Sequence, residues 1–328
     1  MPLKSITDIP FILAPMAEIS HRPLRELIEG FNGEVSPRGC DEYFTEMLSA
    51  GALLGGGPFE KWYLDPLPCP ERLVYQLTGR DREQLAKAAA LLDRRDCLGI
   101  DLNMGCSAPL IVRSGAGVRW MEDIDRAGEL IRLVRRGVKK RLSVKLRTGF
   151  ENDADYLLRF CRRLEDEGVD MITLHPRTAG EKFRRRSRWE YVALLRWELK
   201  IPVTGNGDIG SPVELLGKTA ECDGVMVGRA AVRRPWIFAE ARRLGHPGPE
   251  GVKGFGPVNL EETGLRFLDL LSRYQPPEFH LSRARRFFGY FCDNLMFGHY
   301  AKTLIFREKD LAGMGRAWTA CLREQKVS

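Results

Sequence analysis

The 328-residue chain has no run of about 18 or more apolar residues, so an α-helical membrane span is not expected. Its N-terminus has no basic-then-apolar signal-peptide pattern and carries Asp8 and Pro10 early. Neither a CxxC nor an HExxH spacing occurs, which leaves a zinc site, or any other metal site, without support. Close cysteine pairs are also missing: Cys40, Cys69, Cys97, Cys106, Cys161, Cys222, Cys292 and Cys321 are scattered along the chain. That usage suits reduced thiols in a cytoplasmic protein better than a disulfide framework. Acidic residues are outnumbered, 44 against 51 Lys and Arg, for a net charge of +7. Residues 241–328 carry +5 of that excess and residues 1–240 only +2. A basic tail on a nearly balanced body points to a polyanionic partner, nucleic acid first, although a solvated basic surface has the same charge.

Eight apolar runs alternate with helix-patterned segments. The runs are Phe11–Met16, Gly33–Pro37 (the weakest), Leu73–Leu77, Leu98–Leu102, Leu142–Leu146, Met171–Leu174, Ile201–Thr204 and Gly224–Val227. Helix starts are marked by Asp81 and by Ser211-Pro212. Strands separated by helices imply a parallel sheet, and eight such units imply a closed (β/α)8 TIM barrel rather than an open doubly wound sheet. Gly245–Pro257 has the composition of a linker, and Leu260–Tyr274, Leu281–Phe297 and Ala301–Leu322 read as helices with no strand between them. The expected organisation is an α/β barrel over 1–243, a linker over 244–258 and a small all-helical domain over 259–328. Phe287, Phe288, Tyr290, Phe291 and Phe297 follow Arg283, Arg285 and Arg286 closely, and most of these aromatics are expected to pack the tail's core.

Reactive groups of such a barrel gather at the C-terminal ends of its strands. Polar residues stand there in nearly every unit: Gln76, Asn103 with Cys106, Lys145 with Arg147, His175 with Arg177, Asn206 with Asp208, and Arg229. Gly205-Asn206-Gly207-Asp208 and Gly228-Arg229 allow backbone N–H groups to approach an anion, as phosphate sites of such barrels require. Gly205, Gly207 and Gly210 also match GxGxxG, but the match sits in the seventh unit and no ribose-binding acid ends the next strand. Lys145 closes an apolar strand, where an ammonium needs an anion, either a cofactor or a neighbouring acid such as Asp101. Cys106 follows the buried run Leu98–Leu102 at the strand's mouth, where a thiol of ordinary pKa, about 8.5, holds a proton it can give up.

These motifs occur in a characteristic order: Ala14-Pro15-Met16 with Arg25, Gln76-Leu77-x-Gly79, and Asp101-Leu102-Asn103-Met104-Gly105-Cys106. Lys145-x-Arg147-x-Gly149, His175-x-Arg177-Thr178, Asn206-Gly207-Asp208-Ile209 and Val227-Gly228-Arg229 complete the series. With them the sequence resembles the tRNA-dihydrouridine synthases, flavoproteins that reduce uridine in transfer RNA. The resemblance implies FMN across the barrel mouth, touched by Pro15, Met16, Gln76, Lys145 and His175, with its phosphate on Asn206, Gly207, Asp208, Gly228 and Arg229. It further implies Cys106 as proton donor, NADPH as reductant, and the basic tail as the tRNA-binding part. Two departures stand out: Ser107-Ala108-Pro109-Leu110 where the family has proline directly after the cysteine and then a basic residue, and Ser20-His21 in the first motif.

The implied reaction adds hydride from reduced FMN to C6 of uracil and a proton from Cys106 to C5. Asn103, Arg147 and Arg177 would orient the substrate, with Arg283 and Arg286 of the tail and Arg184, Arg185, Arg186 and Arg188 near the rim meeting RNA phosphates. The target uridine must leave its stack to be reduced. The chain is expected to act as a monomer without a stable protein partner. Two rival readings are an FMN barrel reductase of a free pyrimidine, similar to dihydroorotate dehydrogenase, and a non-catalytic RNA-binding barrel.

Overall fold

Side chains of successive strand residues point to opposite faces, and the first strand shows where the two faces lead. In β1 (Phe11–Leu13), Phe11 and Leu13 belong to the large core under the helices, while Ile12 joins a separate cluster with Phe44, Val74, Met171 and Met226. That second cluster lies inside a cylinder. The computed structural model describes residues 9–33, 38–246 and 256–327. Its further strands are β2 (Glu42–Ser49), β3 (Leu73–Thr78), β4 (Gly99–Met104), β5 (Arg141–Arg147), β6 (Met171–His175), β7 (Val203–Asn206) and β8 (Gly224–Val227). They pair in chain order, and β1 pairs with both β2 and β8 in parallel, closing the barrel. Helices lie between the strands, and Asp81, Asp123, Asp153 and Ser211 accept hydrogen bonds from the first turns of four of them. The expected (β/α)8 barrel with a helical C-terminal part is the fold observed.

The second strand is not where the sequence placed it. Gly33 caps the helix Arg22–Asn32, residues 34–37 lie outside the described residues, and the strand is Glu42–Ser49. Its charges hide it from a hydropathy reading. Glu42 is paired with Arg141 at 2.6 Å, and Glu46, 4% exposed, is paired with Arg283 at 3.0 Å. The β2–β3 register shifts between Phe44 and Met47, and past this irregularity Met47 lines the cavity at the barrel mouth.

The tail also differs from expectation. Leu260–Tyr274 forms as read, but the next helix is Pro277–Phe291, started by a proline at its first position. The last segment is two helices, Gly298–Arg307 and Leu311–Val327. The expected linker falls largely on residues 247–255, outside the described residues. Phe287, Phe288 and Phe291 are buried with Trp318, whereas Tyr290 is half-buried and Phe297 exposed. A side chain at Gly264 would meet the Trp318 indole, so that helix crossing needs glycine.

The tail is seated firmly on the barrel. The Arg22 guanidinium lies 3.5 Å from the Tyr274 ring centroid, Phe59 stacks at 4.8 Å on Phe279, and Asn294 Nδ2 donates to the Arg233 carbonyl at 2.6 Å. Arg283 is the buried centre of this junction. At 1% exposure, bonded to Glu46 and Gln275, it holds tail to barrel and is not a contact for RNA, because its guanidinium is committed to groups inside the protein. Removing one partner of a buried pair costs about 3–5 kcal/mol. Arg283→Leu should lower stability by about that much in urea unfolding, and Glu46→Gln added to it should recover part of the loss. Equal stabilities for wild type and Arg283→Leu would show that the pair does not hold the junction.

Candidate active site

The period-two alternation carries the barrel interior from apolar to polar along its axis. Interleaved with Ile12, Phe44, Val74, Met171 and Met226 inside the barrel are the buried Asp101, Ser143, Thr173 and Thr204. One step further, Gln76, Asn103, Lys145, His175 and Asn206 line a cavity of about 910 Å3 at the strands' C-terminal ends. Pro15, Met16, Cys106, Arg147, Arg177, Gly207, Asp208, Gly228 and Arg229 line the same cavity. Residues from all eight units thus meet at one mouth, as the sequence led us to expect. Arg283 and Arg286 do not line it. Arg286 is exposed and ion-paired with Glu18 at 2.6 Å.

Cys106 is the half-buried member of the eight cysteines; the other seven are buried. Its loop is held from several sides. The Cys106 N–H donates to Asn103 Oδ1 at 2.9 Å, the Val118 N–H to the Cys106 carbonyl at 3.1 Å, and Arg147 Nε to the Gly105 carbonyl at 3.0 Å. Gly117, at φ +63°, packs so closely that a Cβ there would lie 2.4 Å from the Cys106 carbonyl oxygen. Ser107, Ala108 and Pro109 continue the cavity wall, Pro109 opens the short helix Pro109–Arg113, and Leu110 is exposed. Arg147 also donates to the carbonyls of Thr178 and Lys182, so its guanidinium is a brace between loops.

Lys145 is half-buried, and no acid lies in ion-pair range of it among the described residues. The alternative of a Lys145–Asp101 bridge is therefore not what forms. Asp101 instead accepts from Ser143 Oγ at 2.6 Å and from Gln76 Nε2 at 2.7 Å. Burial pushes the Asp101 carboxyl up to about 6, against those two hydrogen bonds and the charges of Lys145 and Arg141. Burial and the neighbouring Arg147 bring the Lys145 ammonium down to about 8, with Asp101 and Cys106 acting the other way. His175 is held well below the ordinary histidine range by burial and by the charges of Lys145, Arg147, Arg177 and Arg229. Arg177 Nη1 lies 3.2 Å from His175 Nε2. A guanidinium only donates, so the neutral imidazole carries its proton on Nδ1.

Arg177 continues to Asp208 Oδ1 at 2.6 Å, and the Ser187 N–H donates to Asp208 Oδ2 at 2.6 Å. The Asp208 carboxylate is thus occupied. It shapes the loop after β7, and its charge is matched by that of Arg177. Asn206 Nδ2 donates to the Met226 carbonyl across to β8. The sequence reading missed Arg233, one turn beyond Arg229 on the helix Arg229–Arg233. Its Nη2 donates to the Gly210 carbonyl at 2.6 Å, it lines the cavity, and its buried Nε has no hydrogen-bond partner. The i, i+4 spacing of the two arginines was the available signal. Phe183, with the Arg229 guanidinium 4.4 Å from its ring centroid, also lines the mouth, as do Tyr290 and Asp293 from the tail. Arg184, Arg185 and Arg186 are exposed beside this rim, whereas Arg188 is paired with Glu181.

Among the described residues no cluster of three or more His, Cys, Asp or Glu suits a metal ion, and no helix is long and apolar enough to cross a membrane. A family model described as Dihydrouridine synthase (Dus) matches residues 12–250. The chain is 33% identical over 238 residues to a probable tRNA-dihydrouridine synthase of Aquifex aeolicus, covering 70% of this chain and 71% of that protein. It is 31% identical over 236 residues to a probable tRNA-dihydrouridine synthase of Helicobacter pylori, covering 70% and 69%. To tRNA-dihydrouridine synthase B of Xanthomonas campestris it is 32% identical over 232 residues, covering 70% and 68%. The matched span runs from β1 through β8 and holds the barrel's own groups at the mouth, with Tyr290 and Asp293 of the tail beyond it, and the chain belongs to the dihydrouridine synthase family of enzymes.

Proposed function

We propose that this protein reduces uridine in transfer RNA to 5,6-dihydrouridine, with FMN as cofactor and NADPH as electron donor. The observation that carries the reading is one cavity lined by both a half-buried thiol and a lysine with no acid partner among the described residues. The groups present suit a flavin mononucleotide. Lys145 offers a cation to the electron-rich edge of the ring, and Gln76 and His175 line the same wall. Arg229, Arg233 with its buried, unbonded Nε, and the Gly207 and Gly228 backbone suit a phosphate. Pro15 and Met16 supply apolar contact.

When bound and reduced, FMN supplies the hydride that adds to C6 of the uracil. The protein's own part is the proton. As C6 gains hydride, negative charge develops towards C5 and O4, and the Cys106 thiol protonates C5 as general acid. The thiolate that remains regains its proton from solvent. Asn103 and Arg147 act by holding the thiol's loop. The base reaches this mouth only when unstacked, so grip on the RNA falls to exposed cations such as Arg184, Arg185, Arg186 and Arg286. A reaction drawing on NADPH and tRNA belongs in the cytoplasm.

Cys106→Ala should keep its yellow cofactor and lose about a hundredfold or more in dihydrouridine formed on a tRNA transcript. Unchanged turnover would remove the thiol from the chemistry. Reduction of free uracil or orotate but not tRNA would identify a small-molecule reductase, and a protein that takes up no FMN a binding barrel.

Binding of FMN to the apoprotein should weaken as pH rises through about 8. There the lowered Lys145 pKa makes the ammonium neutral and removes its attraction for the anion. Calorimetric titration of Lys145→Met should show weaker binding without that step; a step that persists would assign it elsewhere. Affinity for tRNA should fall steeply with salt, as counterion release requires. Filter binding that is insensitive to salt would remove the exposed arginines from the interface.

A further inference from the structure

Beneath the thiol loop a line of three side chains and two backbone N–H groups has ends of fixed hydrogen-bonding sense. At the top, the N–H groups of Gly105 and Cys106 can only donate; at the bottom, an ionised Asp101 can only accept. Between them stand two amides, Gln76 and Asn103, each of which presents either a donor or an acceptor according to which way it is turned. Asp101 Oδ2 accepts from Gln76 Nε2 at 2.7 Å, and Gln76 Oε1 accepts from Asn103 Nδ2 at 2.9 Å. Asn103 Oδ1 then accepts from Cys106 N–H at 2.9 Å and Gly105 N–H at 3.3 Å. Turning either amide would set donor against donor or acceptor against acceptor, so only one sense satisfies both ends.

We propose that Asp101, which touches neither cavity nor thiol, is a positioning residue for Cys106: its carboxylate fixes the sense of both amides and so fastens the thiol loop to the barrel wall. The proposal rests on Cys106 as the proton donor for its catalytic consequence, but the fastening of the loop is testable apart from any chemistry. Ser143 stands outside the line. Its hydroxyl satisfies the other carboxylate oxygen, and its loss leaves Asp101 an acceptor towards Gln76. Protonation of Asp101 gives the bottom end a donor, and the single sense is lost. The charged groups acting on Asp101 are Lys145 and Arg141 of β5, both favouring the ionised form, while β3 brings the uncharged Gln76. Burial nevertheless raises its pKa to about 6, so the loop should loosen as pH falls through that value.

The test is amide hydrogen exchange at Gly105 and Cys106 in the FMN-loaded full chain, read beside single-turnover reduction of a tRNA transcript. Asp101→Asn should lower protection of these amides by about tenfold, the scale of one lost hydrogen bond, and slow reduction by about a hundredfold with cofactor content unchanged. Ser143→Ala should keep both within about threefold of wild type, an effect below that of one hydrogen bond. In the wild type, protection corrected for intrinsic exchange should drop on acidification through about pH 6, and Asp101→Asn should lack that step. The wild-type profile carries the test should Asp101→Asn not fold. Wild-type protection in Asp101→Asn, equal losses in the two variants, or a flat acid profile would overturn the proposal. Full activity in Cys106→Ala, with the exchange results as expected, would overturn the assigned chemistry and leave the positioning role standing.

Discussion

An ammonium at the mouth of a barrel, with no carboxylate among the described residues to meet it, is the constraint around which this site is arranged. Lys145 stands near the end of β5 in one row with Arg141, Ser143 and Arg147, and the buried acid on the neighbouring strand, Asp101, is engaged by Ser143 and Gln76. Arg147, Arg177, Arg229 and Arg233 add charge of the same sign around the same cavity. Where acids do occur they are spent: Asp208 on Arg177 and the Ser187 N–H, Glu181 on Arg188. Such an excess of positive charge in a half-enclosed space costs stability until an anion enters. On the function proposed, a flavin phosphate with an electron-rich ring would answer that cost along the length of the cavity, and RNA would answer it at the exposed rim.

The barrel builds this site with a two-residue step. Asp101 and Asn103, Lys145 and Arg147, Asn206 and Asp208 are each separated by one residue, so both members of a pair face inward at successive levels. Asp101, the deepest of these, sets geometry through Ser143 and Gln76, while Asn103, Lys145, Arg147, Asn206 and Asp208 all line the cavity. Arg147 and Arg177 show how the same rows stiffen the rim, since both spend their guanidinium donors on loop carbonyls, on His175 or on Asp208. The tail completes the enclosure. Tyr290 and Asp293 reach the cavity because Arg283 is anchored in β2 and Asn294 on the helix after β8.

Most of the mouth was legible in the sequence because each group follows an apolar run, and strand ends of a parallel barrel converge. What escaped were residues whose meaning depends on a partner far along the chain. Glu42 and Glu46 kept β2 from standing out as an apolar run, yet Arg141 lies 99 residues beyond Glu42 and neutralises it. Arg283 read as a phosphate contact for the same reason: an arginine in a basic tail declares its charge but not Glu46. Asp101 was visible as an acid near Lys145, but its preference for Ser143 and Gln76 is a matter of register across three strands. The break of the last tail segment at Glu308–Asp310 fell inside a continuous helical pattern, which hydrophobic spacing alone does not divide.

The central claim is that a thiol held on one wall delivers its proton to one face of a pyrimidine lying in this cavity. Reduction of a tRNA transcript in deuterium oxide, followed by NMR of the released dihydrouridine, tests it directly, because the thiol exchanges with solvent and would label C5. The account predicts one deuteron at C5 on a single face. Deuterium spread over both faces of C5 would mean that water, and not Cys106, supplies the proton.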